Sequence, residues 1–367
     1  MPHLFSEFRL RDVAYANRIG VSPMCQYSCE DGYANDWHFA HLAARAVGGA
    51  GLVFTEAAAV APEGRISPQD LGVWSEKHFE PLERIARFVK AQGATPGVQL
   101  AHAGRKASVY RPWSGQGSVP ESDGGWRAVG PSALSFGKGY STPQELTVEG
   151  IQTLQRAFAS AAERASAAGF RTIEVHAAHG YLLHQFLSPL SNRRRDAYGG
   201  SFDNRTRFLR DCVAAVRSAV PDSLPLFVRI SATDWTDGGW DIEQSIELSR
   251  RLKDLGVDAI DCSSGGNVEG AKIPVGPGYQ VPFAQRIRRE AGIATAAVGM
   301  ITGPAQADQI LRNGEADMVL IAREFLRDPY WPLSAARTLG ESMSWPAQYL
   351  RAAPKDAPER LAAHEFD

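Results

Sequence analysis

Along most of this chain, stretches with helical spacing of apolar residues alternate with short apolar runs. Residues 76–92 place Phe79, Leu82, Ile85 and Val89 on one face and stop at Gly93, before a buried run Gly97-Val98-Gln99-Leu100. Ile151, Leu154, Phe158 and Ala161 form the next stripe, which ends near Gly169 and leads into Thr172-Ile173-Glu174-Val175. Asp241, an N-cap with Gln244 three residues on, opens a helix that ends at Gly256 before Ala259-Ile260-Asp261-Cys262. Another runs from Pro304 to Gly314 ahead of Met318-Val319-Leu320-Ile321. The four glycines suit helix ends in the left-handed region, where a side chain costs energy.

The full set predicts eight strands, at 18–22, 52–55, 97–100, 172–175, 226–230, 259–262, 295–298 and 318–321. Helices fill the gaps, including 37–47, 204–220, 283–291 and 330–339. Buried, non-alternating strands separated by helices predict a parallel sheet covered by helices. Eight such units predict an α/β fold closed as a TIM (β/α)8 barrel, with an open doubly wound sheet as the alternative. The expected organisation is a barrel over 1–340, a lid or capping segment inserted at 101–146 after strand 3, and a C-terminal tail at 341–367 that contacts a neighbouring subunit.

Composition changes this picture little. With 367 residues, 44% hydrophobic content and a net charge of −2, the chain has ample core material and no electrostatic footprint for nucleic acid or anionic membrane. No apolar run reaches membrane-spanning length and the N-terminus does not read as a signal peptide, so a cytoplasmic protein is expected. Cys25, Cys29, Cys212 and Cys262 form no paired metal-binding set, so no metal is expected.

In a barrel, residues just past each strand converge on one mouth. Strand 1 delivers Ser22-Pro23-Met24-Cys25-Gln26-Tyr27, strand 2 Glu56-Ala57, and strand 3 Gln99 followed by His102-Ala103-Gly104-Arg105-Lys106. Strand 4 ends in His176-Ala177-Ala178-His179-Gly180-Tyr181, strand 5 carries Arg229, strand 7 ends in Gly299-Met300 and strand 8 in Ala322-Arg323. Gln99 can both donate to and accept from a heterocycle, and Arg229 needs an anion or a carboxylate in a barrel core. The ends of strands 7 and 8 suit a phosphate, while the GxGxxG and Walker A patterns are both absent. A phosphorylated heteroaromatic ligand fits this set.

These motifs, with Phe186-Leu187-Ser188-Pro189, Val298-Gly299-Met300-Ile301-Thr302 and Arg323-Glu324-Phe325-Leu326-Arg327-Asp328-Pro329, resemble the old yellow enzyme family in its bacterial thermophilic-like branch, over about 4–351. The resemblance implies tightly but non-covalently bound FMN, NADPH as hydride donor, and reduction of activated C=C bonds in α,β-unsaturated carbonyl or nitro compounds. It assigns Ser22, Pro23, Met24, Cys25, Ala57, Gln99 and Arg229 to the flavin ring, and Gly299, Ala322 and Arg323 to its phosphate. His176 and His179 would bind the substrate oxygen, Tyr181 would donate the proton, and Tyr27 would line the pocket. It implies a homodimer or homotetramer in which Arg351 enters the neighbouring active site, although here sixteen residues follow Arg351.

Plainer readings stand beside these. His176 and His179 have metal-ligand spacing but no carboxylate at a matching offset. Arg229 has Asp261 and Glu174 as candidate partners, Arg323 has Asp328, and Cys25 can be simple packing. A metal- or Schiff-base-dependent lyase or aldolase is the rival enzyme. It lacks a lysine at a strand end, because Lys106 sits well into its loop. A non-catalytic flavin-binding protein would leave His176, His179 and Tyr181 without a task.

Overall fold

The structure, a computed structural model, describes residues 3–360. The last seven residues of the expected tail lie outside them. Eight parallel strands form a closed barrel: β1 (Ile19–Val21), β2 (Leu52–Ala59), β3 (Thr95–Ala101), β4 (Thr172–Ala177), β5 (Leu226–Ser231), β6 (Ala259–Ser263), β7 (Ala294–Ala297) and β8 (Met318–Ile321). Each pairs with its sequence neighbours, and β8 pairs with β1 to close the ring, so the open sheet is excluded. Eight helices cover the outside: α1 (Asp36–Val47), α2 (Phe79–Ala91), α3 (Val148–Ala167), α4 (Phe202–Ala219), α5 (Ile242–Asp254), α6 (Val281–Ala291), α7 (Pro304–Arg312) and α8 (Trp331–Leu339).

Local signals act as their chemistry requires. Asp241 caps α5 by accepting from Gln244 N–H at 2.9 Å, and Gly93, Gly169, Gly256 and Gly314 all take positive φ. Strand bounds differ most at β2, which runs four residues further through Glu56-Ala57-Ala58-Ala59, at β3, which starts two residues earlier, and at β4, which ends two residues later; the others differ by at most one residue at either end.

A short antiparallel pair, Phe8–Leu10 with Val13–Tyr15, closes the end of the barrel where the strands begin. Its periodicity was too brief to register in the sequence. Tyr15 is fully buried there, with its hydroxyl 2.9 Å from Thr172 Oγ1 and its ring near Phe227, which packs edge-on against Phe54. Gly97 makes room for this plug, since a Cβ there would lie 2.6 Å from the Phe54 ring.

Residues 101–146 hold only brief elements, among them a paired Val129–Gly130 and Gln144–Glu145. They build a small apolar cluster of Ala103, Ala107, Val109 and Ala128 with Ile66, and Cys25, Tyr27 and Tyr181 pack against it. After α8 the described chain folds back on its own barrel. Arg360 donates to the carbonyls of Ala46, Val47 and Gln92 at the ends of α1 and α2, where a cation meets the negative pole of a helix.

Candidate functional site

Four polar side chains sit inside the barrel on consecutive strands. Gln99 Nε2 donates to Glu174 Oε1 at 2.8 Å, and Arg229 Nε lies 2.9 Å from Asp261 Oδ2. The structure thus realises the Arg229–Asp261 pairing. That contact is off the line of a good hydrogen bond, and no hydrogen bond among the described residues uses Arg229's terminal nitrogens. Desolvation raises both Glu174 and Asp261. The Asp261 charge raises Glu174 further, while Arg229 pulls both acids down. Glu174 Oε2 has no partner. A polar layer this costly and incompletely satisfied is built to meet something above it.

Above it, β4 and its loop bring His176, His179 and Tyr181 together. The ring centroids lie 5.1 Å apart for His176–His179, 5.2 Å for His176–Tyr181 and 6.5 Å for His179–Tyr181. Burial, and then the Arg229 charge, hold both imidazoles well below their usual pKa, so both are neutral. Burial, with Cys25 and Tyr27 nearby, pushes the Tyr181 phenol well above its usual range, so it keeps its proton. His176 Nδ1 is buried with no partner. His179 Nε2 lies 2.7 Å from Ser263 Oγ, a contact on β6 that the sequence offered no means of pairing.

The loop after β1 completes one wall. Ser22 is buried with an unpartnered Oγ, whereas Pro23, Met24, Cys25 and Tyr27 are all half-buried. Gln26 N–H donates to Glu56 Oε2 at 3.1 Å, which ties this loop to β2 beside the buried Ala57. Burial raises the Cys25 thiol, so it is no thiolate. Lys106 sits well into the loop after β3, yet its ammonium reaches the site. It donates to His179 O at 2.8 Å and Gly266 O at 3.0 Å and lies 5.1 Å over the Tyr181 ring. Burial and Arg105 lower its pKa to about 8.

On the far side, a cleft of about 270 Å³ is lined by Gly299, Ala322 and Arg323, with Ser263 and Gln280 among its other residues. Arg323 is exposed and has no carboxylate within ion-pair distance among the described residues, so the pairing with Asp328 is not formed. Arg351 is not brought to this mouth within the chain. It is exposed along a separate groove of about 480 Å³ with Tyr330, Trp345 and Tyr349. Among the described residues, no group of three His, Cys, Asp or Glu side chains is placed to hold a metal ion, and no helix is long and apolar enough to cross a membrane.

Residues 3–341 match the model of the NADH:flavin oxidoreductase / NADH oxidase family. The chain is 52% identical to an NADPH dehydrogenase of Geobacillus sp. (strain WCH70) over 350 residues, 95% of this chain and 98% of that one. To an NADPH dehydrogenase of Bacillus subtilis (strain 168) it is 48% identical, with the same coverage. Among solved structures, it superimposes on the old yellow enzyme homologue from Zymomonas mobilis with a TM-score of 0.75 at 25% identity, covering 96% of this chain and 94% of that one. A 2-naphthoyl-CoA reductase complex gives a TM-score of 0.84 at 26% identity over 92% of this chain and 52% of that one.

Proposed function

Because the chain belongs to the NADH:flavin oxidoreductase / NADH oxidase family, that of the old yellow enzymes, we propose that it is an FMN-dependent NADPH dehydrogenase that reduces activated C=C bonds. Its substrates would be α,β-unsaturated carbonyl or nitro compounds. The observation that carries this reading is the grouping of His176, His179 and Tyr181 at the barrel mouth.

The residues present fit the cofactor. Unpartnered buried atoms at Ser22 and Glu174, with Gln99 and the free end of Arg229, offer a heterocycle both donors and acceptors. Pro23, Met24, Cys25 and Ala57 would border the ring, and Gly299, Ala322 and Arg323 would hold the phosphate in their cleft. Bound FMN supplies the two-electron carrier between NADPH and the substrate's β-carbon.

The chain's own groups do the rest. The neutral imidazoles of His176 and His179 donate to the substrate oxygen as negative charge develops there; one such donor is typically worth about 3–4 kcal/mol. Tyr181 delivers its retained proton to the α-carbon, and Tyr27 lines the pocket. The 101–146 segment, packed on Cys25, Tyr27 and Tyr181, acts as the lid. The exposed Arg351 reaches a neighbouring subunit's site in a homo-oligomer.

Anaerobic titration tests the reading. The purified protein is yellow, NADPH bleaches it, and 2-cyclohexen-1-one restores the colour while yielding cyclohexanone. A protein that NADPH leaves yellow, or that stays bleached with the enone, refutes it.

A further inference from the structure

Behind the turn that carries His179 and Tyr181 lies a buried acid–imidazole pair that the chemistry above does not use. His184 stands on a short helix, Leu182–Leu187, and Asp234 follows β5. Both are fully buried, with His184 Nε2 3.0 Å from Asp234 Oδ1, a close charge contact that, like that of Arg229 with Asp261, lies off the line of a good hydrogen bond. The other carboxylate oxygen accepts from Ser188 Oγ at 2.5 Å and from Trp240 N–H at 2.9 Å. Burial alone would raise Asp234, but the contacts from His184, Ser188 and Trp240 outweigh it and hold the carboxyl below its usual range.

A carboxylate facing Nε2 places the imidazole proton on that nitrogen and leaves Nδ1 as an acceptor. That acceptor takes the Gly180 N–H at 2.9 Å. Gly180 is the residue between His179 and Tyr181, and both His179 and Gly180 have positive φ, +59° and +72°. For His179, which carries a Cβ, this conformation is strained, so it persists only where the surroundings over-determine it. A Cβ on Gly180 would lie 2.2 Å from Gly266 O, so the turn is also pressed against the loop after β6.

Ser188, His184 and Asp234 have the composition of a hydrolytic triad, but the hydroxyl bonds the carboxylate rather than the imidazole, and all three are buried. A nucleophile there has no access to substrate.

We propose that His184 and Asp234 are positioning residues for proton delivery. The carboxylate fixes the imidazole tautomer, the imidazole anchors Gly180, and the anchored turn aims Tyr181 and His179 at the substrate. This proposal rests on the ene-reductase reading.

The test is Asp234→Asn in the flavin-loaded enzyme. It keeps the side chain's size but frees the tautomer that turns Nδ1–H against the Gly180 N–H. Flavin content and the rate of bleaching by NADPH should stay within about twofold, while reoxidation by 2-cyclohexen-1-one slows roughly 100-fold, as when a catalytic group is misaimed by about an ångström. A solvent deuterium isotope effect on reoxidation should grow, which a general loosening would not produce. In ¹⁵N-histidine spectra of the wild-type holoenzyme, His184 should carry its proton on Nε2 and none on Nδ1, the nitrogen that accepts from Gly180. Wild-type reoxidation at unchanged rate in the variant, equal losses in both half-reactions, or an Nδ1–H His184 in the wild type overturns the proposal. If Asp234→Asn yields no flavin-loaded protein, Ser188→Ala decides by the same split, with a smaller loss confined to reoxidation. An inactive wild type would instead refute the functional reading, and the histidine spectra still report on the tautomer.

Discussion

At the end where its strands begin, the barrel is filled by Tyr15, Phe54 and Phe227, with Tyr15's buried hydroxyl matched by Thr172 Oγ1. At the end where they finish, it holds Gln99, Glu174, Arg229 and Asp261 beneath His176, with unpartnered atoms on Glu174, Asp261 and His176. The same eight strands therefore serve two purposes. Aromatic packing at the base gains free energy that the polar mouth gives up through desolvation. Substitutions at the two ends should accordingly fail in different ways.

The largest separation is expected from Tyr181→Phe. Removing a positioned acid should slow substrate reduction by roughly 10²–10⁴-fold, with flavin reduction and melting temperature nearly unchanged. Equal losses in both half-reactions would remove Tyr181 from that role. At the base, Phe227→Ala should cost about 3–5 kcal/mol in denaturant unfolding while turnover per folded molecule is preserved. A catalytic loss without a stability loss there would break the comparison.

The smallest effect concerns Glu174, whose carboxyl is raised by desolvation and by Asp261. As pH rises above its ordinary value of 4.5, the unfolded chain gives up this proton while the folded chain keeps it. The stability contribution is therefore full below that value and is lost as pH climbs through the raised folded pKa. Glu174→Gln should flatten the fall in unfolding free energy above about pH 5, measured on flavin-free protein. A slope identical to wild type would show that Glu174 is ionised in the folded state.

The barrel was legible because each strand–helix unit carries its own local signal: an apolar run and a helical stripe, closed at most helix ends by a glycine, although α4 ends at Val220 before Pro221. The first antiparallel pair was missed because Phe8–Leu10 and Val13–Tyr15 are too short for any period to emerge. Site residues past each strand could be read from position, since barrel strands end on a common rim. Lys106 is placed at the mouth by the same argument, but its bonds to the carbonyls of His179 and Gly266 are not, because the loop that follows Gly104 turns its ammonium back by a path that no spacing records.

From the chain alone came the number of strands, their parallel order, and the residue types gathered at the mouth, since these depend on neighbours along the backbone. Only the folded structure decided whether Arg229 met Asp261 or Glu174, which hydroxyl faced His179, and that Asp234 stands behind His184. Those pairings join strands and loops far apart in sequence, and their strength depends on how much water the closed barrel excludes.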